Sequence, residues 1–326
     1  MRPPTKEDLM PLFPDRLRFG IHAGQQYTDF SSYLELWRTA EEVGLDWASV
    51  FDHFMPIQAD PTGPCFEGLT LLSAMAAHTE RLRCGIIVTG VTYRWPAVLA
   101  NMAVTIDHVS GGRVELGMGG AWYELEHDQY GIAFPPLGER LAMLGEAAAV
   151  VKSLWTQETT TFDGRHYQLR DARCEPKPLQ SPHIPLWIGG AGERVTLRHV
   201  AAHADGWNTF LMPMDEYRRK LDALDAHCAE VRRDRAEIRL QLVARVVLGA
   251  DEREAEEQLR ERAEGLSMEV DALREGMFVG TPEQLVEHFT PYAQVGVKDF
   301  LVMARPPMDR RTLELLAREV APVMRD

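Results

Sequence analysis

Short apolar runs alternate with longer amphipathic stretches along nearly the whole chain. Residues 17–22 form a compact apolar run, and residues 34–43 then carry apolar side chains at the spacing of a helix that ends at Gly44. Ser32 and Glu35 have the spacing of a capping box, which predicts that this helix begins at Ser32. The pattern repeats and predicts about eight units of a strand followed by a helix. The predicted strands are residues 17–22, 46–51, 82–88, 113–118, 184–188, 206–208, 240–248 and 299–303.

The predicted strands are almost continuously apolar, which is typical of a parallel sheet covered by helices. Eight such units in 326 residues favour an α/β fold of the (β/α)8 TIM-barrel type over an open doubly wound sheet. A doubly wound sheet would usually carry a glycine fingerprint after its first strand, and residues 22–25 (HAGQ) do not match it. Thr281 and Gln284 form a second capping box, with Pro282 at the first helical position. Other helices are predicted at residues 69–79, 97–109, 194–204, 215–231 and 310–320.

Two stretches interrupt this rhythm and predict insertions after strand 4 and before strand 5. Residues 123–138 are long and polar, and residues 159–185 contain a hairpin signal at 162–167 followed by a proline-rich link. Extra length after a barrel strand usually lies over the mouth of the active site. The sequence contains no linker or low-complexity tract, so we expect a single domain over residues 1–326.

Composition then excludes several classes of protein. The 35 basic and 49 acidic residues give a net charge of −14, so the chain lacks the basic surface that attracts nucleic acid or an anionic membrane. Ten acidic and four basic residues fall within 251–275, which we interpret as the solvated face of helices. No apolar run approaches the roughly 18–20 residues that cross a bilayer, and residues 1–15 lack the apolar core of a signal peptide. The four cysteines are widely spaced and form no CxxC pair, which favours a reducing cytoplasm over a disulfide framework.

The candidates for chemistry follow the strands, because active sites of barrels form at the carboxyl ends of the strands. Asp52 and His53 end the second predicted strand. Histidine exchanges protons near neutral pH, which suits His53 to proton transfer or to a hydrogen bond with a bound heterocycle. Successive strand residues point to opposite faces, so we do not expect Asp52 to contact the His53 ring. The alternative is that His53 is only a hydrogen-bonded histidine at the end of a strand.

A glycine-rich turn follows the fifth predicted strand and precedes a helix. It consists of Gly189, Gly190, Ala191 and Gly192. Backbone N–H groups and a helix N-terminus at such a turn can bind a phosphate. The same residues would also serve a tight turn without a ligand.

The fourth strand ends in small residues beside two aromatic ones. Gly117 and Gly119 permit close approach of a flat ring, and Trp122 and Tyr123 could cover it. The alternative is an aromatic pair that covers the rim of the barrel.

Metal chemistry has little support in the sequence. His199 and His203 have the i, i+4 spacing of metal ligands, but they lack an accompanying glutamate and lie in the middle of a helix that is expected outside the barrel. We therefore expect no metal site.

Several motifs resemble those of one family. They are SVFDHF at residues 49–54, VTYRWPA at 91–97, DHVSGGR at 107–113, GGAWYE at 119–124, FPPLGER at 134–140 and IGG at 188–190. In this order, and over nearly the whole chain, they resemble the bacterial luciferase-like flavin and deazaflavin oxidoreductases, in particular the branch that uses coenzyme F420. The resemblance implies a TIM barrel that binds this cofactor.

The resemblance also implies roles for individual residues. Asp52 and His53 would meet the deazaflavin ring, with His53 near its reactive carbon. The peptide bond between Ile87 and Val88 would be the cis bond that bulges behind the ring in this family. Tyr123 would contact the cofactor, and the turn from Gly189 to Gly192 would bind its phosphate.

One departure concerns the substrate. The sugar-phosphate dehydrogenases of this family carry an acidic catalytic residue just after the fourth strand, where this chain has Gly120. The departure argues against a sugar phosphate and leaves the proton donor open, with Glu67 and Tyr123 as candidates. The residues expected to line the substrate pocket are Phe66, Glu67, Trp95 and Trp122.

We therefore expect a cytoplasmic oxidoreductase that transfers a hydride between coenzyme F420 and a small organic substrate, with His53 orienting the ring or moving a proton. One alternative is an FMN-dependent monooxygenase that uses reduced flavin and dioxygen. The other is a non-catalytic protein that binds the deazaflavin. Because relatives of this kind are often dimers, we expect a homodimer.

Overall fold

Strands and helices alternate along the computed structural model, which describes residues 12–57, 60–266, 268–304 and 310–325. The strands are β1 (Arg18–Ala23), β2 (Trp47–Val50), β3 (Arg83–Gly90), β4 (Val114–Gly119), β5 (Thr160–Asp163), β6 (Gln168–Ala172), β7 (Leu186–Gly189), β8 (Gly206–Phe210), β9 (Arg239–Ala244), β10 (Val246–Leu248), β11 (Phe278–Gly280) and β12 (Val297–Ala304). The helices are α1 (Phe30–Val43), α2 (Gly68–His78), α3 (Pro96–Ser110), α4 (Glu124–Tyr130), α5 (Leu137–Thr156), α6 (Thr196–His203), α7 (Met214–Val231), α8 (Glu252–Gly265), α9 (Val270–Arg274), α10 (Pro282–Gln294), α11 (Arg310–Leu315) and α12 (Ala321–Arg325).

Eight of the strands close into a parallel barrel in the order β1-β12-β9-β8-β7-β4-β3-β2. The predicted (β/α)8 TIM barrel is confirmed, and each predicted strand segment supplies one barrel strand. Its outer face packs against the helices, as where Phe300 of β12 stacks on Phe289 of α10 with ring centroids 4.6 Å apart. Among the described helices, none is long and apolar enough to cross a membrane.

Two details of the prediction are wrong. The apolar run 240–248 is divided at the exposed Arg245, where the chain leaves the barrel, and β10 pairs instead with β11. Val247 of β10 belongs to a separate apolar cluster with Leu259 of α8 and Leu273 of α9, which explains why the run continues past the barrel. Helix α1 begins at Phe30, before the predicted capping box.

The start of α1 is fixed by a different residue from the one predicted. Asp29 is the N-cap, and its carboxylate accepts hydrogen bonds from the backbone N–H and the hydroxyl of Ser32. Aspartate is an effective N-cap because its oxygen satisfies a free N–H of the first turn. The second capping box is confirmed, since Thr281 and Gln284 cap α10 reciprocally with Pro282 in the first turn.

Both predicted insertions are present. The hairpin signal corresponds to the antiparallel pair β5 and β6. The segment 123–138 is not only a loop, because it contains α4, and the last turn of this helix passes into Gly131 in the left-handed conformation (φ 67°). Helix α4 follows β4 directly and therefore lies at the carboxyl end of the barrel.

A buried cluster of charges closes the other end of the barrel. Arg18 of β1 donates to Asp299 of β12 (Nη2 to Oδ2, 2.5 Å) and to Glu115 of β4 (Nη1 to Oε1, 2.7 Å). Arg239 of β9 also donates to Asp299 (Nε to Oδ1, 2.8 Å), and Arg83 of β3 pairs with Glu115. Each carboxylate is thus shared by two guanidinium groups, and the cluster joins five of the eight barrel strands.

The charges in this cluster stabilise one another. Burial alone would lower the pKa of Arg18, but Asp299 and Glu115 raise it above its ordinary value. Burial would raise the pKa of Asp299, but Arg18 and Arg239 hold it below its ordinary value. Because the folded state depresses this pKa, the resulting stabilisation is present above the unfolded-state pKa and is lost as the pH falls through the lowered value.

The segment before β1 covers the charge cluster. The ring of Phe13 lies 5.4 Å from the guanidinium carbons of both Arg18 and Arg239, and 5.3 Å from the ring of Trp187. Arg239 also donates to the carbonyl oxygens of Pro14 (2.7 Å) and Arg16 (2.8 Å). This end of the barrel is therefore filled and covered.

We expect Arg18→Met to lower the free energy of unfolding by about 3–5 kcal/mol, because it removes one of the two guanidinium groups that each buried carboxylate shares. The matched control is Arg173→Met, since Arg173 pairs with Glu158 at an exposed site and such pairs contribute about 0–1 kcal/mol. Urea denaturation of both variants measures the difference. Equal losses in the two variants would contradict the importance of the cluster.

Candidate active site

The centre of the candidate site is His53, which follows β2 at the carboxyl end of the barrel. Its Nδ1 lies 2.8 Å from Oε1 of Glu126, a fully buried residue of α4. Glu126 also accepts the backbone N–H of Phe54 (2.9 Å) and the hydroxyl of Tyr93. Burial would raise the pKa of Glu126, but the hydrogen bonds from His53, Tyr93 and Phe54 hold it below its ordinary value. Glu126 is therefore an ionised acceptor inside the protein.

The second ring nitrogen of His53 is available to a ligand. Because an ionised carboxylate can only accept, Nδ1 must donate to Glu126, which leaves Nε2 unprotonated in the neutral ring. Nε2 has no hydrogen-bond partner within the described residues. The rings of Phe51, Trp122 and Tyr123 lie 5.2, 5.6 and 5.9 Å from the imidazole, centroid to centroid. The imidazole is therefore held among aromatic rings with one nitrogen unused.

Asp52 turns to a different partner. Its carboxylate, which is buried, accepts from Nη1 (2.5 Å) and Nη2 (3.1 Å) of Arg94. Arg94 also donates to Thr89 Oγ1 (3.1 Å) and pairs with Glu67. The expectation that Asp52 and His53 point apart agrees with these separate partners. Arg94, and not the His53 imidazole, therefore neutralises the charge of Asp52.

Glu67 has a structural role in addition to its predicted one. It is the N-cap of α2 and accepts the backbone N–H groups of Leu69 (3.2 Å) and Thr70 (2.7 Å). Burial would raise the pKa of Glu67, but these hydrogen bonds and Arg94 hold it below its ordinary value. A carboxyl with a lowered pKa is a poor proton donor at neutral pH, so Glu67 is not suited to that role. The Tyr123 hydroxyl lies 3.4 Å from the carbonyl oxygen of Pro56.

The peptide bond between Ile87 and Val88 is cis, as predicted. The side chain of Val88 occupies the space that side chains at three glycines would need. A Cβ at Gly117, Gly119 or Gly189 would lie 2.8, 2.6 or 2.8 Å from Val88 carbons. Packing against Val88, and for Gly117 also against the Ile86 carbonyl oxygen (2.6 Å), therefore explains these glycines, and their predicted contact with a cofactor stays a prediction.

The turn after β7 has the features of a phosphate site. Gly190 adopts φ +116°, which favours glycine, and its N–H donates to the carbonyl oxygen of Asn208 (3.1 Å). The N–H groups of Ala191, Gly192 and Glu193 have no acceptor within the described residues. They precede α6, whose N-cap makes no side-chain hydrogen bond. Free N–H groups at a helix start attract an anion.

Uncharged polar groups form another part of the barrel interior. Asn208 Nδ2 donates to Gln241 Oε1 (2.8 Å), while Gln241 Nε2 is buried without a hydrogen-bond partner. His22 Nδ1 lies 3.0 Å from Ser49 Oγ, and these two residues face each other across β1 and β2. A buried amide without a partner costs free energy, so Gln241 is suited to a polar ligand.

The predicted aromatic residues do not form one cluster. Trp122 lies beside His53, whereas Trp95 packs against Tyr167, next to the β5–β6 hairpin, with ring centroids 5.0 Å apart. Phe66 is partly exposed and its N–H donates to the carbonyl oxygen of Gln25 (3.1 Å). Their role as substrate-pocket residues stays a prediction.

The sequence interpretation missed Glu126, Tyr93 and Arg94. Tyr93 and Arg94 lie in the VTYRWPA motif, so the signal was present without a role attached to it. Glu126 gave no signal, because its segment was interpreted as a polar loop.

His199 and His203 stack on α6 with centroids 6.1 Å apart, and no group of three or more potential metal ligands occurs in the described part of the chain.

A family model described as luciferase-like monooxygenase matches residues 12–269. The F420-dependent glucose-6-phosphate dehydrogenase of Nakamurella multipartita is 28% identical over 96% of this chain and 98% of its own length. The enzyme of the same name from Microbacterium testaceum is 32% identical over 75% of this chain and 72% of its own length.

Solved structures share the barrel. An F420-dependent secondary alcohol dehydrogenase in complex with an F420–acetone adduct aligns with a TM-score of 0.80 at 21% identity, over 95% of this chain and all of the other. The coenzyme F420-dependent tetrahydromethanopterin reductase of Methanopyrus kandleri aligns with a TM-score of 0.77 at 20% identity, over 95% and 99%. At these identities the likeness shows the fold.

Burial lowers the pKa of His22 to about 4, so we expect its ring to stay neutral at physiological pH. Burial disfavours protonation of His22 only in the folded state. The free energy of unfolding should therefore decrease as the pH falls from about 6.5 to about 4. A histidine NMR titration, with the His22 signal assigned from His22→Asn, measures this value. A midpoint near 6.5 would contradict the burial of this ring.

Proposed function

Because this chain belongs to the luciferase-like monooxygenase family, we propose that it transfers a hydride between coenzyme F420 and a small organic substrate at the carboxyl end of the barrel. The observation that carries the proposal is the match over nearly the full length to enzymes named as F420-dependent dehydrogenases. The cofactor is F420, and the substrate is an uncharged alcohol or carbonyl compound.

The residues present fit a phosphorylated heterocycle. Gln241 Nε2 is a buried donor without a partner, so a ring with carbonyl oxygens would satisfy it. The free N–H groups of Ala191, Gly192 and Glu193 suit a phosphate, and no net positive charge is needed there. The half-buried Val88 side chain would form the wall behind the ring.

The cofactor, when bound, supplies the hydride acceptor or donor. The contribution of the chain's own residues is to accept and return the proton. Oxidation of an alcohol releases a proton from its oxygen as the hydride leaves carbon, and the unprotonated Nε2 of His53 is placed to take that proton. In the opposite direction the imidazole returns it. Trp122 and Tyr123 beside His53 reduce the access of water.

The two alternatives make different predictions for the same assay. A monooxygenase would consume dioxygen in the presence of reduced FMN; one neighbour in fold is named as the monooxygenase RslO1 of Streptomyces bottropensis. A non-catalytic protein would bind F420 without turnover. Steady reduction of F420 by alcohols, or steady oxidation of reduced F420 by ketones, without dioxygen, would exclude both.

We expect His53→Ala to reduce turnover by about 10²–10⁴-fold, because it removes a positioned proton acceptor. The affinity for F420 should change only a few-fold, since the phosphate turn is untouched. His288→Ala on α10 is the matched control and should keep wild-type turnover, since His288 is exposed and lies outside both the site and the α2–α3 face. The assay follows the absorbance of the deazaflavin with a panel of secondary alcohols and ketones. Unchanged turnover in His53→Ala would remove His53 from the mechanism.

The proposed homodimer is supported by one uncharged face. Helices α2 and α3 pack beside each other, and their exposed positions carry no Asp, Glu, Lys or Arg. These exposed positions are Thr70, Ala77, His78, Val98, Asn101, Thr105, His108 and Val109. Asp107 is the single Asp, Glu, Lys or Arg residue of these two helices. It is buried and accepts the backbone N–H of Leu179 (2.7 Å).

A second copy of this chain suits that face. At a net charge of −14, two copies repel each other wherever their charged surfaces meet. Like the core of a protein interface, the α2–α3 face is depleted of charged residues. A two-fold axis would pack this face against the α2–α3 face of the second copy.

We expect Val98→Glu to convert the dimer into a monomer, because it places a carboxylate in the uncharged face of both copies. Val323→Glu on α12 is the control, since Val323 is similarly exposed (60% against 54%) but lies outside the face. Sedimentation velocity at several concentrations gives the masses. A monomeric wild-type protein, or a dimer that survives Val98→Glu, would contradict the proposed interface.

A cytoplasmic location is proposed from the cysteines. The four thiols are free, and three of them are buried. Burial, with Glu126 and Asp52, raises the pKa of Cys65 to about 12, so this thiol is unreactive at neutral pH. Free thiols of this kind are usual in a reducing compartment.

A further inference from the structure

We propose that Glu126 is a positioning residue, which keeps the proton of His53 on Nδ1 and so presents an unprotonated Nε2 to the substrate. This inference rests on the proposed function, because it assigns a role within the same site. Glu126 would not itself touch substrate or cofactor. It acts on the reaction through the imidazole.

The first support is the set of groups that converge on Glu126. Its two oxygens accept from His53 Nδ1 (2.8 Å), from the Phe54 backbone N–H (2.9 Å) and from the Tyr93 hydroxyl. The Phe54 N–H can only donate. Burial and the neighbouring carboxylate raise the pKa of Tyr93, so its hydroxyl keeps its proton and donates as well. The arrangement is consistent with one protonation state, in which Nδ1 carries the proton.

The second support is burial. Glu126 has no exposed surface, and an ionised carboxylate at such a position is stable only while its donors remain in place. If the proton moved from Nδ1 to Nε2, two acceptors would face each other 2.8 Å apart. The charge of Glu126 therefore opposes that tautomer directly.

A purely structural role is the competing explanation, since Glu126 also attaches α4 to the loops after β2 and β3. The adjacent residue His127 separates the two explanations. His127 is equally buried and attaches the same helix. Its Nε2 lies 2.7 Å from Thr92 Oγ1, and its Nδ1 lies 2.7 Å from the Tyr123 carbonyl oxygen. Its hydrogen bonds do not include His53. It is therefore the matched control for attachment of α4 alone.

The variant Glu126→Gln tests the tautomer. Glutamine has the same shape, but its NH2 group donates, so Nδ1 becomes an acceptor and the proton moves to Nε2. Nitrogen-15 NMR of the full-length protein with labelled histidine identifies the protonated nitrogen, and His53→Asn assigns the signal. This measurement needs neither cofactor nor substrate.

We expect the proton on Nδ1 in the wild-type protein and in His127→Gln, and on Nε2 in Glu126→Gln. With F420, we expect kcat of Glu126→Gln to fall at least tenfold while its Kd for F420 stays within about twofold, and Glu126→Asp to recover part of kcat. His127→Gln should lower the thermal stability without a comparable loss of kcat.

Several results would overturn the inference. One is a wild-type His53 protonated on Nε2, which can be seen even if Glu126→Gln does not fold, because the assignment needs only His53→Asn. Another is an unchanged tautomer in Glu126→Gln. A third is an equal loss of kcat in Glu126→Gln and His127→Gln. If the tautomers behave as expected but the wild-type protein shows no F420 turnover, the positioning role stands and the proposed function fails.

Discussion

The buried contact of Arg18 with Asp299 and Glu115 is the interaction on which the rest of the molecule depends. These side chains come from β1, β12 and β4, and Arg239 and Arg83 extend the cluster to β9 and β3. Buried charges are tolerated only when each has its partners, so the cluster fixes how the strands meet. With Phe13 over it, the amino-terminal end is closed. Only the carboxyl end remains for a ligand, and that is where His53 and the turn after β7 lie.

Charged groups are paired at both ends of the barrel. At the closed end, both carboxylates are shared between guanidinium groups. At the open end, Asp52 and Glu67 are neutralised by Arg94, and Glu126 accepts from three donors. His53 Nε2 and the N–H groups after Gly190 have no partner in the described residues, and the buried Nε2 of Gln241 inside the barrel also lacks one. A buried donor without a partner is costly, so Gln241 is suited to a ligand.

The barrel could be predicted from the sequence because the periodicity of each segment is a local property. The eight strands, the second capping box and the β5–β6 hairpin all follow from residues close together in the chain. Details that depend on tertiary contacts were wrong or missed. The run through Val247 continues because it packs in a separate apolar cluster. The start of α1 was also wrong, although its N-cap, Asp29, is a local signal. Glu126 contacts a residue 73 positions away, which no local pattern encodes. The glycines at 117, 119 and 189 were noted correctly, but their cause is the side chain of Val88.

We propose that this carboxyl end binds a deazaflavin and not a flavin. The decisive experiment is an equilibrium titration of the purified protein with F420 and, separately, with FMN, with binding followed by calorimetry under identical conditions. We expect saturable binding of F420 with a Kd at least tenfold below that of FMN, and weakened binding when Gly192→Asp places a carboxylate among the free N–H groups. Equal or tighter binding of FMN would exclude a site specific for the deazaflavin.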